Sequence, residues 1–227
     1  MPCEGQIIYV IRQHLELRYP VNNPLSDAIG IMKKDWRLLA GLNALYFCVL
    51  VIGATLALIS PGLHMSMIQF IGATTIGGNF STAGSFTETL KAAGIDFASN
   101  FFLNTLGLIT IPSIILPLWA PIIGFARFFI WGITYVSPLA GVLTVGNLLP
   151  QYVVMLIEGE AYIIAIFACV RQIIVAVKYI ETGLRLMLGY YFIALLENAK
   201  LLIIVFLLLA IASLYQAFVI PALSGLF

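Results

Sequence analysis

The sequence predicts an all-α fold, a polytopic integral membrane bundle of five transmembrane helices with amphipathic interfacial helices, and three observations carry that expectation. Hydrophobic residues make up 62% of the chain and charged residues only 9%, whereas about a quarter of a soluble domain is charged. Mean hydropathy is +1.06. Apolar runs recur at the length of roughly 20 residues that crosses about 30 Å of hydrocarbon. One domain suffices for 227 residues. It divides into a cytoplasmic amphipathic segment (1–37) and a transmembrane bundle (38–227) with an outer loop at 60–100.

The first residues, MPCEGQIIYVIRQHLELRYP, lack the basic-then-apolar order of a secretory signal, and Pro2 stands where myristoylation needs glycine. Ile7–Arg18 and Pro24–Arg37 read instead as amphipathic helices facing the cytoplasm. The first span, Leu38–Ile59, has Trp36 and Arg37 as interface anchors and ends at Ser60-Pro61-Gly62. Thr, Ser and Gly then replace Leu and Val through GATTIGGNFSTAGS. Phe86, Leu90, Ala93 and Phe97 share one face of a short helix, expected on the membrane surface or capping the bundle.

The second span runs from Phe101 to about Ile123, kinked or broken by Pro112, Pro117 and Pro121. The third runs from Phe125 to Val145 with Pro138 inside it. The fourth begins near Asn147 and Pro150, where proline suits a first helical turn, and continues to Cys169 or Val170. Gly183–Lys200 has charged ends around an apolar middle and reads as an interfacial or bent helix. Leu201–Val219 is the fifth span. With five spans, ten of the eleven basic residues fall on the N-terminal side of the membrane, Lys91 being the exception. The positive-inside bias therefore predicts an N-terminus in the cytoplasm and a C-terminus outside.

LIEGEAYIIA, residues 156–165, places Glu158 and Glu160 in the fourth span. A helix starting at Pro150 carries them about 12 and 15 Å into the membrane, near its midplane. An ionised carboxylate there costs about 2.5–3.5 kcal/mol, so each is expected to be protonated, paired or hydrated. Two residues apart on a helix, they point to opposite faces and form no shared carboxylate pair. The fourth helix therefore needs packing on both sides, with its own bundle on one and room for another subunit on the other. Tyr162 lies one turn beyond Glu158 on nearly the same face, and Gly159 admits a close neighbour. Asn100 and Asn104 open the second span on one face. With Asn147 and Gln151 they are expected to form a polar layer near the outer leaflet, while Arg127 and Arg171 sit at the cytoplasmic helix ends, too shallow to reach Glu158. Two readings of the glutamates stand open: protonated carboxyls bonding across helices, or a proton, ion or polar-substrate path.

Familiar enzyme chemistry has no constellation here. GATTIGGNF lacks the Lys-Ser/Thr of a phosphate loop, and the two histidines, His14 and His64, belong to no H-E-x-x-H motif. HMSM (64–67) reads as a short amphipathic segment in preference to a copper site. Asn79-Phe80-Ser81 is a glycosylation sequon, which counts only in a eukaryotic secretory setting. The three cysteines show no C-x-x-C spacing, and the net charge of +1 is too small and dispersed for nucleic acid. No catalytic residue, metal or cofactor is expected.

The order of features from Asp96 to Leu223 resembles the stage II sporulation protein M family of polytopic membrane proteins. The likeness rests on DFASNFFLNTLGL, a Gly- and Pro-rich third span, LLPQYVVMLIEGEAYIIA and GLRLMLG before a final apolar helix. Glu158 and Ala161 match the family's Glu-x-x-Ala. Pro150 lies further upstream than the family's Pro-His pair, and Val154 occupies the His position. The resemblance implies a multi-spanning bacterial or archaeal protein without catalytic residues, which in spore formers works with partners that remodel the cell wall. The first expectation is thus a non-enzymatic membrane protein acting through assembly, as a homo-oligomer or the subunit of a larger complex. The second is a transporter or permease component with a proton- or cation-linked glutamate at the midplane.

Overall fold

A computed structural model of the protein describes residues 23–74, 85–116, 118–139, 145–180 and 184–224. The Ile7–Arg18 helix, the Asn79 sequon and the side chain of Asn147 lie outside the described residues. Helix α1 (Pro24–Lys34) starts where the Asn23 side chain accepts the Leu25 amide at 3.1 Å, with Pro24 in the first turn. Lys33 and Lys34 end it, where the helix dipole favours cations. Helix α2 (Trp36–Ile59) follows after Asp35, and Ser60 separates it from α3 (Pro61–Thr74), the break that Ser60-Pro61-Gly62 predicts.

Helix α4 spans Phe86–Ile115. Ser85 and Glu88 form a capping box at its start. Its Ser99–Thr110 stretch is π-helical, an i→i+5 pattern that the Ile111 amide closes on Leu106 O. The separate surface helix over Phe86–Phe97 is therefore corrected. Those residues run straight into the second span, because the first proline after Phe86 is Pro112.

The second and third spans also divide earlier than expected. The chain turns at Leu116–Leu118, and α5 (Trp119–Val136) starts at Trp119 rather than Phe125. Pro121 falls in the first turn of the new helix, where its missing amide costs little. Helix α6 (Val145–Lys178) exceeds both expected ends of the fourth span. Helix α7 (Leu184–Ser224) joins the expected interfacial segment to the fifth span as one helix of 41 residues. At 1.5 Å per residue it is about 60 Å long, twice the hydrocarbon thickness, so part of it extends beyond the apolar layer.

Five of these helices are long and apolar enough to cross a membrane, as in a multi-pass membrane protein. Among them α6 is the core: 72% of its most apolar stretch is buried, against 28–39% for the others. Every residue from Ala161 to Cys169 is buried, as expected of a helix that is apolar all round. Helix α7 packs along it, and α1 lays Ala28 and Ile31 inward while Asp27 pairs with Lys200 of α7 at 2.6 Å.

Helices α2 and α5 meet through glycine. A Cβ on Gly53 would lie 2.5 Å from Phe129 O, and one on Gly132 would run into Leu50 O. Small residues permit this backbone approach where lipid offers no hydrophobic drive for helix association. Carbonyls freed by π winding and helix ends must still be satisfied inside the membrane. Trp119 Nε1 donates to Leu108 O at 2.7 Å, Tyr191 Oη to Ile114 O at 2.7 Å and Tyr152 Oη to Val136 O at 2.7 Å. His64, buried, spends its Nε2 on Thr134 O at 3.3 Å.

Candidate functional site

Glu158 stands ten residues into the apolar part of α6 that begins at Leu148, about 15 Å along a helix crossing about 30 Å of hydrocarbon. Its side chain is buried, and Oε1 accepts a hydrogen bond from Asn100 Nδ2 at 3.0 Å. Asn100 belongs to the π-helical part of α4, and its buried amide is the hub of the site. The same Nδ2 also donates to Asp96 Oδ1 at 3.3 Å. Its Oδ1 accepts from Tyr162 Oη at 3.0 Å, Asn104 Nδ2 at 3.1 Å and Arg127 Nη2 at 3.4 Å.

Asp96 takes a further hydrogen bond from Ser213 Oγ of α7 at 2.7 Å. Four helices thus converge: α4 supplies Asp96, Asn100 and Asn104, α5 Arg127, α6 Glu158 and Tyr162, and α7 Ser213. The Arg127 guanidinium lies over the Tyr162 ring at 4.5 Å and the Trp131 ring at 5.2 Å. Desolvated cation–π contacts of this kind contribute up to about 2 kcal/mol. Its buried Nε has no hydrogen-bond partner among the described residues. An arginine stacked on aromatic faces yet short of acceptors keeps donor capacity that an anion or water can use.

These groups border a cavity of about 290 Å³, whose wall includes Asp96, Asn100, Arg127, Tyr135, Gln151, Glu158 and Gln216. Phe70 of α3, on the same wall, is 60% exposed, whereas Glu158 and Asn100 are each 6% exposed. The cavity leads from a partly open rim to a carboxylate-bearing floor. Two carboxyls and one guanidinium share it.

Several sequence expectations change here. Asn100 and Asn104 lie at the level of Glu158, not in a shallow layer, because α4 begins at Phe86 and Asn100 falls near its middle. Gln151 reaches the cavity wall, but among the described residues no hydrogen bond joins it to either asparagine. Tyr162 bonds Asn100, one step removed from Glu158. Arg127 does not sit at a helix end: with α5 starting at Trp119, it is about 12 Å along the helix and meets the cluster. Arg171 does remain at the far end of α6, bound to Asp35 Oδ2 at 2.7 Å and Glu197 Oε2 at 3.2 Å.

Glu160 faces away from the cluster, half-buried, with the Asn43 side chain of α2 as its polar neighbour. Gly159 admits the Tyr46 ring, whose hydroxyl donates to Met155 O at 2.9 Å. Both sides of α6 are therefore packed within one chain. The opposite-facing glutamates do not by themselves require a second subunit. Sequence reasoning missed Asp96, Tyr135, Ser213 and Gln216 and placed Arg127 too shallow. A signal for Asp96 was present, since Asp96, Asn100 and Asn104 recur at intervals of four, one stripe of a single helix. No family model, curated protein or solved structure matches the chain.

Proposed function

We propose that this protein is a proton-linked transport component of a prokaryotic cell membrane, with Glu158 as its proton-carrying group. The observation that carries this reading is the cavity that leads to Glu158, Asp96 and Arg127 at midplane depth. Ionisable groups inside a membrane bundle are costly, and they mark ion or proton paths more often than structural joints. A carboxyl at a cavity floor exchanges a proton with water, and Asn100, bonded to both carboxyls, couples the charge of one to the other. Arg127, which donates to the same Asn100, brings a positive charge to the cluster without an ion pair to either carboxyl among the described residues.

The resemblance to the stage II sporulation protein M family supports a multi-spanning membrane role. Its matched glutamate, Glu158, is one of the two carboxyls that Asn100 bonds. The basic residues at the α1, α6 and α7 ends favour a cytoplasmic N-terminus, so the cavity rim, at the other end of α6, faces outward. Assembly with further subunits remains compatible with this role, each chain carrying its own site.

The test uses the full chain in liposomes with a trapped pH-sensitive dye and an imposed potassium diffusion potential. Wild type is expected to admit protons faster than protein-free vesicles, and Glu158→Gln to fall to the protein-free rate. Equal flux in wild type and Glu158→Gln, or wild-type flux no greater than that of empty vesicles, overturns the proposal.

A further inference from the structure

At the other end of α6 from the Glu158 cavity, the end of α1, the start of α2 and the last turns of α6 enclose a groove of about 650 Å³. Four basic side chains line it, Lys34, Arg37, Arg171 and Lys178, and one acid, Asp35. Asp35 is committed to Arg171 at 2.7 Å, and Glu197 and Asn198 hold the same guanidinium at 3.2 and 3.4 Å. Arg171 is thereby a fixed part of the wall. Lys34, Arg37 and Lys178 are exposed and have no ion-pair partner among the described residues. Among the described residues this concave surface presents three cations without an acidic partner, which makes it complementary to an anion.

The groove is also continuous with apolar surface. Ile174 is 51% exposed, Val177 on the adjoining turn 63%, and Trp36 at the start of α2 60%. Trp36 stands where an apolar span gives way to basic residues, the position that tryptophan favours at the headgroup level. One ligand needs both properties at once: a phosphodiester for the cations, and acyl chains for the exposed faces of α2 and α6. Free phosphate uses only the first. Basic pockets between transmembrane helices bind anionic lipid headgroups on these grounds.

We propose that this groove binds the headgroup of an anionic phospholipid, with Lys34, Arg37 and Lys178 around the phosphodiester and Trp36 and Ile174 against the first acyl carbons. The site lies apart from the Glu158 cluster and does not depend on the transport reading. It ties α1, α2 and α6 together at the membrane surface.

The probe is dioleoylphosphatidylglycerol, titrated against the detergent-solubilised full chain and read by native mass spectrometry, with dioleoylphosphatidylcholine as the neutral control. Phosphatidylglycerol is expected to be retained preferentially, and its affinity to fall about fivefold for each charge removed in Lys34→Gln, Arg37→Gln and Lys178→Gln. Lys91→Gln, on α4 away from the groove, should leave it unchanged. Equal retention of the two lipids, or unchanged affinity in the three variants, overturns the proposal, and so does displacement of the lipid by inorganic phosphate. A photoactivatable phosphatidylglycerol tests the wild type alone, independent of how the variants fold. Labelling is expected to concentrate in residues 34–38 and 174–178, and uniform labelling of the five spans counts against the site.

Discussion

Asn100 does more at this site than either glutamate of LIEGEAYIIA. One amide donates to two carboxyls and accepts from three donors, so its loss leaves a carboxyl on α6, a carboxyl on α4 and the Tyr162 hydroxyl short of partners in a low-dielectric setting. Each buried polar group left unsatisfied costs about 1–3 kcal/mol. Asn100→Ala is expected to destabilise the protein by at least about 2 kcal/mol, read as a lowered unfolding midpoint in mixed micelles. Ser66→Ala, which removes only an exposed hydroxyl bonded within its own helix, should be nearly silent. A midpoint for Asn100→Ala equal to that of Ser66→Ala would remove Asn100 from the centre of the network.

At this scale much of the site was legible in the sequence. Glu158, Tyr162, Asn100 and Asn104 stood out because polar groups are conspicuous in apolar runs. Arg127 and Asp96 did not, because their depth depends on where helices begin and end. Ending α4 at Ile115 and starting α5 at Trp119, instead of dividing them near Gly124, carries Arg127 into the bundle, and extending α4 back to Phe86 does the same for Asp96.

Among the elements, the seam between α2 and α5 shows most directly how packing replaces hydrophobic drive in lipid. Gly132 faces Leu50 O and the Gly53 Cα, the latter 3.1 Å from a built Cβ. Gly132→Ala forces the two backbones apart and is expected to cost about 1–3 kcal/mol, as overpacking does. Gly41, also in α2, has open space where a Cβ would go. Gly41→Ala should therefore be neutral or stabilising by about 0.5–1 kcal/mol through helix propensity. Thermal unfolding of the pair in one detergent checks the contrast, and similar shifts for both would argue against a glycine seam. Neither glycine announces its neighbour in the sequence, since a residue's own helix does not reveal which face meets another backbone. The π winding of α4 was equally hidden. One carbonyl of the π stretch, Leu108 O, accepts from Trp119, and Ile114 O beyond it accepts from Tyr191.

Across the whole molecule, two polar layers clamp the central helix at different depths. One surrounds Asn100; the other surrounds Arg171, which joins Asp35 before α2 to Glu197 and Asn198 on α7. Arg171→Met should cost about 3 kcal/mol, the low end for breaking a buried pair, because Asp35 is 34% exposed and partly hydrated. Denaturant unfolding of the purified full chain measures it, and a loss under about 1 kcal/mol would mean that the layer behaves as a surface ion pair.

The sequence by itself determined the class of the protein, its number of apolar spans and the presence of Glu158 well inside one of them. These are properties of local composition: apolar length sets a span, and a carboxyl's place within a span sets its depth. Only the tertiary structure decided that Glu158 meets Asn100 while Glu160 meets Asn43, that Arg127 and Asp96 join the first group, and that one chain packs both sides of α6. Those outcomes depend on helix ends and rotations that short-range sequence pattern does not encode. A shift of a few residues at a proline moves a charge by most of a membrane leaflet.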